Sequence, residues 1–464
     1  PSPQALFRRS LQPGSHSAGP VVPMSAGKPA ANAVWIIGGK ILLALLHLGV
    51  SMTAARRLGP GGFGEIQYAA AVTGLLLPLC TLGLHDVLIP ELVLHPQNSG
   101  VALGSALGMR LAASLGVLVL WGFLLQWTGQ GEGGSVAFLY GVSLVFQAAE
   151  PLGDWFRSRL QSRWPALISC AAAVAAGLCQ LGLLLGGAGI RWFALAHGLE
   201  AAVAVPLLIL AYSRSSGKQP LRWDSATART LWNQGRHFLL SGLLVALYGQ
   251  TDRLMLRSMA GEAAVGLYGA AGSISALWIF VPAALVETAR PLLLARFRQD
   301  PAGFRQGLAA LYGLLWYGSC LAALVICLLS RPLLLLLYGQ AYCPAWGILC
   351  VAAWRPAFSC LGIARSIFLA AHRQFRYEKY LAAAGAAVNL VLNLLLIPLW
   401  GPLGAALATL LAQAVANVGM NFLIPPLREN SRLLLQGMRP HILRFLLAAR
   451  KRRQIHGRRP PHTP

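Results

Sequence analysis

Long apolar runs separated by short polar corners divide this chain, and the first corner sets the pattern. Residues 56–84 read RRLGPGGFGEIQYAAAVTGLLLPLCTLGL, a basic glycine-rich turn followed by an apolar run of bilayer-spanning length. The same alternation predicts twelve spans, at 32–53, 66–84, 103–125, 135–152, 166–185, 193–212, 238–255, 265–286, 308–329, 346–371, 380–397 and 403–423. A polar linker over 213–237 separates six spans from six. The predicted fold is an all-α membrane protein of about twelve transmembrane helices in two six-helix bundles, 31–212 and 238–425. Residues 1–30 are rich in Pro, Ser and Gly, lack the apolar core of a signal peptide, and read as a disordered extension. Met24 opens a more compact segment, which leaves the first 23 residues as an upstream addition or a linker.

Composition agrees with this pattern: 56% of residues are hydrophobic and 11% charged, where a soluble domain carries about 25% charged residues. The net charge of +24 would suit a nucleic-acid partner, but its placement argues otherwise. Arg157, Arg159, Arg163, Arg214, Lys218, Arg222, Arg229, Arg296, Arg298, Arg305, Arg373, Arg376 and Lys379 fall in alternate corners; the opposite corners hold only Arg56, Arg57, Arg191, Arg257 and Arg331. That asymmetry predicts both termini in the cytoplasm, although the first inside corner, 86–100, has no Lys or Arg. The basic tail, 426–464, reads as an inside segment against anionic membrane lipid.

Enzyme and metal chemistry find little support. The eight cysteines form no C-x-x-C, seven of them lie in apolar runs, and no H-E-x-x-H occurs, so no metal site or cofactor is expected. Gly59, Gly61 and Gly64 satisfy G-x-G-x-x-G, but both flanks are membrane-length helices rather than a strand and an amphipathic helix. A membrane glycosyltransferase or polymerase would need paired carboxylates or a sizeable extramembrane loop, and the outside loops are short.

The two halves read as copies. Gly59 and Gly64 recur 202 residues later as Gly261 and Gly266, and GEIQYAAAV resembles GLYGAAGSI. Parallel repeats of this kind place substrate between the halves.

Charged and polar residues inside the spans mark a candidate cavity, because each Lys or Arg at a span centre costs roughly 2.5–3.5 kcal/mol on insertion. Lys40 lies mid-span with Asn32, His47 and Ser51 near its face, a polar stripe that lines a hydrated cavity or else pairs for structure. Arg110, Arg355 beside Pro356, and Arg365 suggest a cationic lumen, with an interfacial position as the alternative for Arg110 and Arg365. Ser241, Tyr248 and Asp252 share a face beside Arg253, and Asp252 either finds a cation on another helix or binds a coupling proton or sodium ion. Glu150 and Glu200 are further coupling candidates. Asn389, Asn393, Gln413, Asn417 and Asn421 recur at i+4 and suit hydrogen bonding between helices.

Five stretches carry a family resemblance. Arg57-Leu58-Gly59-Pro60 with Phe63-Gly64 and Tyr68-Ala69-Ala70 is the first. Tyr248 to Leu256 with Val265 to Ala271, Leu337 to Tyr342, Asn389 to Thr409 and, more loosely, Glu150 to Trp164 follow. Together they resemble the polysaccharide (O-antigen, Wzx-type) flippases of the multidrug/oligosaccharidyl-lipid/polysaccharide (MOP) exporter superfamily, over residues 31–425. The resemblance implies a transporter of the bacterial cytoplasmic membrane. It would move an oligosaccharide linked to undecaprenyl pyrophosphate between leaflets in lipopolysaccharide or related synthesis, with other polysaccharide assembly proteins as partners. A small-molecule exporter and a lipid II flippase on the same fold are the alternatives. The first predicts cavity carboxylates outnumbering arginines; the second predicts fourteen spans.

Overall fold

The computed structural model describes residues 27–128, 132–215 and 217–439. The extension over 1–26, the tail over 440–464 and the side chains of Asn32 and Arg298 lie outside these. The described residues contain helices and turns but no strand. The first half comprises α1 (Gly27–Thr81), α2 (His85–Leu94), α3 (Ser99–Thr128), α4 (Glu132–Gly141), α5 (Ser143–Gln147), α6 (Glu150–Ser158), α7 (Arg163–Leu185) and α8 (Ile190–Arg214). The second comprises α9 (Ser225–Ala260), α10 (Glu262–Leu277), α11 (Phe280–Gln299), α12 (Pro301–Leu328), α13 (Ser330–Leu337), α14 (Trp346–Ala352), α15 (Arg355–Ala371), α16 (Glu378–Ala414), α17 (Met420–Leu423) and α18 (Arg428–Met438).

Nine stretches among the described residues are long and apolar enough to cross a membrane. The difference from the twelve expected spans has two physical causes. Gly38–Leu94 and Phe375–Leu423 run to 57 and 49 residues, where one crossing needs about 20. Each doubles back at a glycine in the left-handed region, Gly59 (φ 67°) and Gly401 (φ 54°). Lys40 and His85, on either side of the first corner, consequently line one cavity. The other cause is α9, which carries Arg229, Arg236, Asp252, Arg253 and Arg257 and is too polar to qualify.

The internal repeat is visible in the backbone. Gly59 (φ 67°, ψ 179°) joins the two arms of α1, and Gly261 (φ 84°, ψ 178°) joins α9 to α10 by the same turn. A second pair of corners lies 213 residues apart. Leu160 and Arg373 both adopt φ 56°, while Gln161 N–H donates to Phe156 O (2.9 Å) and Gln374 N–H to Leu369 O (2.8 Å). Both are Schellman closures of the preceding helix, made without glycine. The common pattern Q-x-R-aromatic, Gln161-x-Arg163-Trp164 and Gln374-x-Arg376-Tyr377, spells the corner in sequence.

The halves meet along the second arm of α1, α9 and α10. Ala55 and Phe63 join Tyr338, Tyr342, Val265 and Ile348 in one core that closes the Gly59 end of the molecule. Arg56 reinforces it, donating from Nε to Leu337 O at 3.1 Å and from Nη2 to Leu336 O, the last carbonyls of α13. Tyr342 Oη donates back to Ala55 O at 3.1 Å.

Two boundaries differ from expectation. The linker is helical from Ser225, where the Asp224 carboxylate caps α9 by accepting from Thr227 N at 2.8 Å. The preceding residues lie in a groove on α3 lined by Gly100, Gly104 and Gly108, a spacing that lets backbones approach closely. There Arg222 N–H donates to Gly100 O, and Ser105 Oγ donates to Asp224 O. The start of the basic tail is a docked helix: α18 buries Leu433 and Leu434, Tyr312 Oη donates to Asn430 Oδ1 at 2.7 Å, and Arg305 pairs with Glu429 at 2.8 Å.

Candidate functional site

The eight expected cavity residues fall into four groups. Lys40 is exposed and lines a cavity of about 450 Å³ at the end opposite Gly59, with His85, Glu150 and Arg157. Arg110 lies behind its wall, 1% exposed, with Nη2 2.9 Å from Glu150 Oε2 and 3.3 Å from Gln147 O. Its Nε and Nη1 have no hydrogen-bond partner among the described residues. Buried Asp154 holds this wall together, 3.0 Å from His85 Nδ1 and 2.7 Å from Arg157 Nη1. His85 and Arg157 were not among the expected site residues, because both sit in corners that read as loop.

His47 belongs elsewhere. It stands at the mouth of a second cavity, of about 240 Å³, enclosed by both arms of α1 with α4, α7 and α8. Its Nε2 lies 2.8 Å from Glu200 Oε2, and Gln67, Gln180, Tyr140 and His197 line the interior. The stripe from Lys40 to Ser51 is thus divided: Lys40 faces the first cavity, His47 and Ser51 the second.

Tyr248, Asp252, Arg253 and Arg355 gather where the halves adjoin. Asp252 is 3% exposed and has no cation against it among the described residues. Four neutral groups surround it instead. Asn389 and Asn393 Nδ2 donate to Oδ1 at 2.9 and 2.7 Å, Tyr268 Oη donates to Oδ2 at 2.6 Å, and Thr409 Oγ1 donates to Oδ2. These come from α10 and both arms of α16, brought together around Asp252 of α9 by the Gly401 corner. Four donors match the acceptor capacity of a carboxylate. The Asn389/Asn393 stripe therefore serves a polar nest within the second half, a role that the i+4 spacing permits but does not specify. Tyr248 Oη is buried nearby without a partner.

Arg253 is half-buried and makes one long bond, 3.4 Å, to Gln250 Oε1. Arg355 opens α15, with Pro356 next to it in the first turn, directly after a break in the expected span at Ala353 and Trp354. Arg253 is in electrostatic range of the Arg355 guanidinium, of Asp252 and Tyr268 in its own half, and of Tyr140 in the first half. Neither guanidinium group has a carboxylate within 4 Å among the described residues, whereas Arg110, Arg157, Arg257, Arg290 and Arg305 do.

Arg365 lies apart. It is 6% exposed and donates from Nη1 to Ala416 O at 3.1 Å, where residues Val415–Gly419 form a π turn. A π turn frees carbonyls from the regular ladder, and Arg365 occupies one of them. Glu150 and Glu200, which line separate cavities, each face a basic side chain, Arg110 and His47 respectively.

The fold is shared with solved transporters. A structure titled lipid II flippase MurJ, inward closed conformation, superposes with a TM-score of 0.67 at 12% identity, covering 90% of this chain and 93% of that one. An inward-facing multidrug resistance MATE family transporter of the MOP superfamily gives 0.62 at 14% identity, over 87% and 98%. A MOP superfamily transporter from Pyrococcus furiosus gives 0.60 at 13%, over 88% and 96%. A comparison with curated proteins finds no match. The family model described as "Polysaccharide biosynthesis protein" matches residues 30–292, more than half of the sequence. With that match covering more than half of the sequence, the chain belongs to the polysaccharide biosynthesis protein family, and it shares its fold with the MOP transporters.

Proposed function

We propose that this transporter flips an undecaprenyl-pyrophosphate-linked oligosaccharide from the cytoplasmic to the periplasmic leaflet of a bacterial inner membrane, in the assembly of an O-antigen or similar glycan. It does so with twelve crossings and both termini in the cytoplasm. The observation that carries this reading is the Arg253–Arg355 pair: two guanidinium groups in electrostatic range of each other where the halves adjoin, neither with a carboxylate within 4 Å among the described residues. Holding both there costs several kcal/mol, which an anionic headgroup between them offsets. Lys40 and Arg157 supply cationic groups at the cytoplasmic mouth, and the Gly59 end is the closed outer face. The lipid tail stays in the bilayer while rocking of the halves exposes the cavity alternately.

The Asp252 nest is the coupling site in this reading. Its carboxylate, the Thr409 hydroxyl and the unpartnered Asn393 Oδ1 offer oxygens to a sodium ion or a place for a proton. Two negative charges moving outward through roughly 100 mV gain about 4.6 kcal/mol, so returning the emptied cationic cavity is the step an ion would drive.

The test is accumulation of lipid-linked sugar in a deletion strain, with rescue by the intact gene, Arg355→Ala and Lys40→Ala. The intact gene should restore the periplasmic glycan, and the two variants should fail at normal membrane levels. Unchanged glycan with altered drug sensitivity would replace this reading with a small-molecule exporter.

A further inference from the structure

The cavity behind His47 is built differently from the cationic groups at the centre. It lies wholly within the first half and contains no Lys or Arg. Small side chains make its space: Ala173, Ala176 and Gly177 leave one wall of α7 bare. Gln180 projects from that wall, 8% exposed, yet its amide bonds to no described residue. The Gln67 amide, the His197 ring nitrogens and the Tyr140 hydroxyl likewise have no hydrogen-bond partner among the described residues; the His197 and Tyr140 rings stack at 3.9 Å and 11°.

Groups that line a cavity without a protein partner leave hydrogen-bonding capacity free for a ligand. Amides and imidazole offer both donors and acceptors. What satisfies them together is a compact ligand with a hydroxyl on every edge and an apolar face for the alanine wall. The volume, about 240 Å³, is below the roughly 300–1,000 Å³ of drug-sized pockets and suits one ring.

We propose that this cavity is a sugar subsite that receives one uncharged pyranose of the transported glycan, with Gln180 and Gln67 as its principal hydrogen-bonding groups and Glu200, held by His47, at its mouth. It rests on the lipid-linked oligosaccharide reading and adds a specificity element to it. The pyrophosphate is read at the centre and a sugar ring in the first half, so the two parts of one substrate are recognised by separate chemistry.

The experiment compares two probes on the purified full-length protein in nanodiscs: undecaprenyl pyrophosphate, bare or carrying a single N-acetylglucosamine or galactose. Intrinsic tryptophan fluorescence reads the affinity of each. At least one sugar-bearing lipid should bind about tenfold more tightly than the bare lipid. Gln180→Leu should abolish that increment, and so should Ala176→Met, which fills the cavity without removing a polar group. An increment that persists in both folded variants, or no increment in the intact protein while bare lipid binds, overturns the subsite and leaves the flippase standing. Failure of every lipid to bind overturns both.

Discussion

Gly64 and Gly266 face each other across a local two-fold relation. A methyl group on Gly64 would collide with the Glu262 carbonyl, and one on Gly266 with the Pro60 carbonyl. Both pairs are separated by 202 residues, so each half presents the same surface to the other. It is an isologous contact within one chain.

Because backbone atoms rather than flexible side chains stand in the way, Gly64→Ala and Gly266→Ala should each destabilise the seam by about 1–3 kcal/mol. Thermal unfolding of the purified variants should show similar losses. The double variant should lose less than the sum, since one opening of the seam relieves both clashes. Unequal losses would contradict the two-fold relation.

The latch beside this seam predicts a change in state rather than in folding. Arg56→Ala removes a cation from the carbonyl end of α13, an exposed interaction of about 1 kcal/mol. That corresponds to roughly a fivefold rise in the population open at the Gly59 end. A single cysteine replacing Ser51, in an otherwise cysteine-free protein, should react about fivefold faster with an impermeant maleimide applied outside.

Asp252 should tolerate a neutral isostere but not truncation. Asp252→Ala strands four buried donors at about 1–3 kcal/mol each and should deplete the protein from the membrane. Asp252→Asn keeps the shape and should fold. Melting of the intact protein should respond to sodium over potassium; in Asp252→Asn that response should vanish. A response retained in full would remove Asp252 from the coupling role.

Arg110 and Glu150 lend themselves to a double-mutant cycle. Glu150→Gln should cost about 1–3 kcal/mol, less than for a fully buried pair because Glu150 is 43% exposed. Arg110→Met combined with Glu150→Gln should recover most of that stability, since the uncompensated buried guanidinium is then gone.

The parts of this architecture written in local spacing were legible in the sequence. Gly59 and Gly261 announced both the corner and the repeat, and the apolar runs announced the helices. The Gln161 and Gln374 corners were equally legible, through Q-x-R-aromatic, but a search guided by glycine passes over a left-handed leucine and arginine. Contacts across the fold were not legible. Nothing near His47 marks Glu200, 153 residues on, as its partner. Gln180 is an isolated polar residue in an alanine-rich run, and only the bare wall around it in the fold defines a cavity. The Lys40–His47 stripe misled in a specific way: residues seven apart share a helix face, but an arm of α1 long enough to pass two cavities presents that face to each in turn.

α9 is fastened to both halves. At its start Asp224 and Gly235 sit against Ser105 and the Leu82–Gly83 corner of the first half. Toward its end Asp252 is locked into the nest of the second. Its 36 residues, about 54 Å of helix, form a beam clamped at both ends. In the proposed rocking of the halves, any change of angle between them has to be taken up along this helix. The polar helix excluded from the apolar count is therefore the member through which the first half bears on the second.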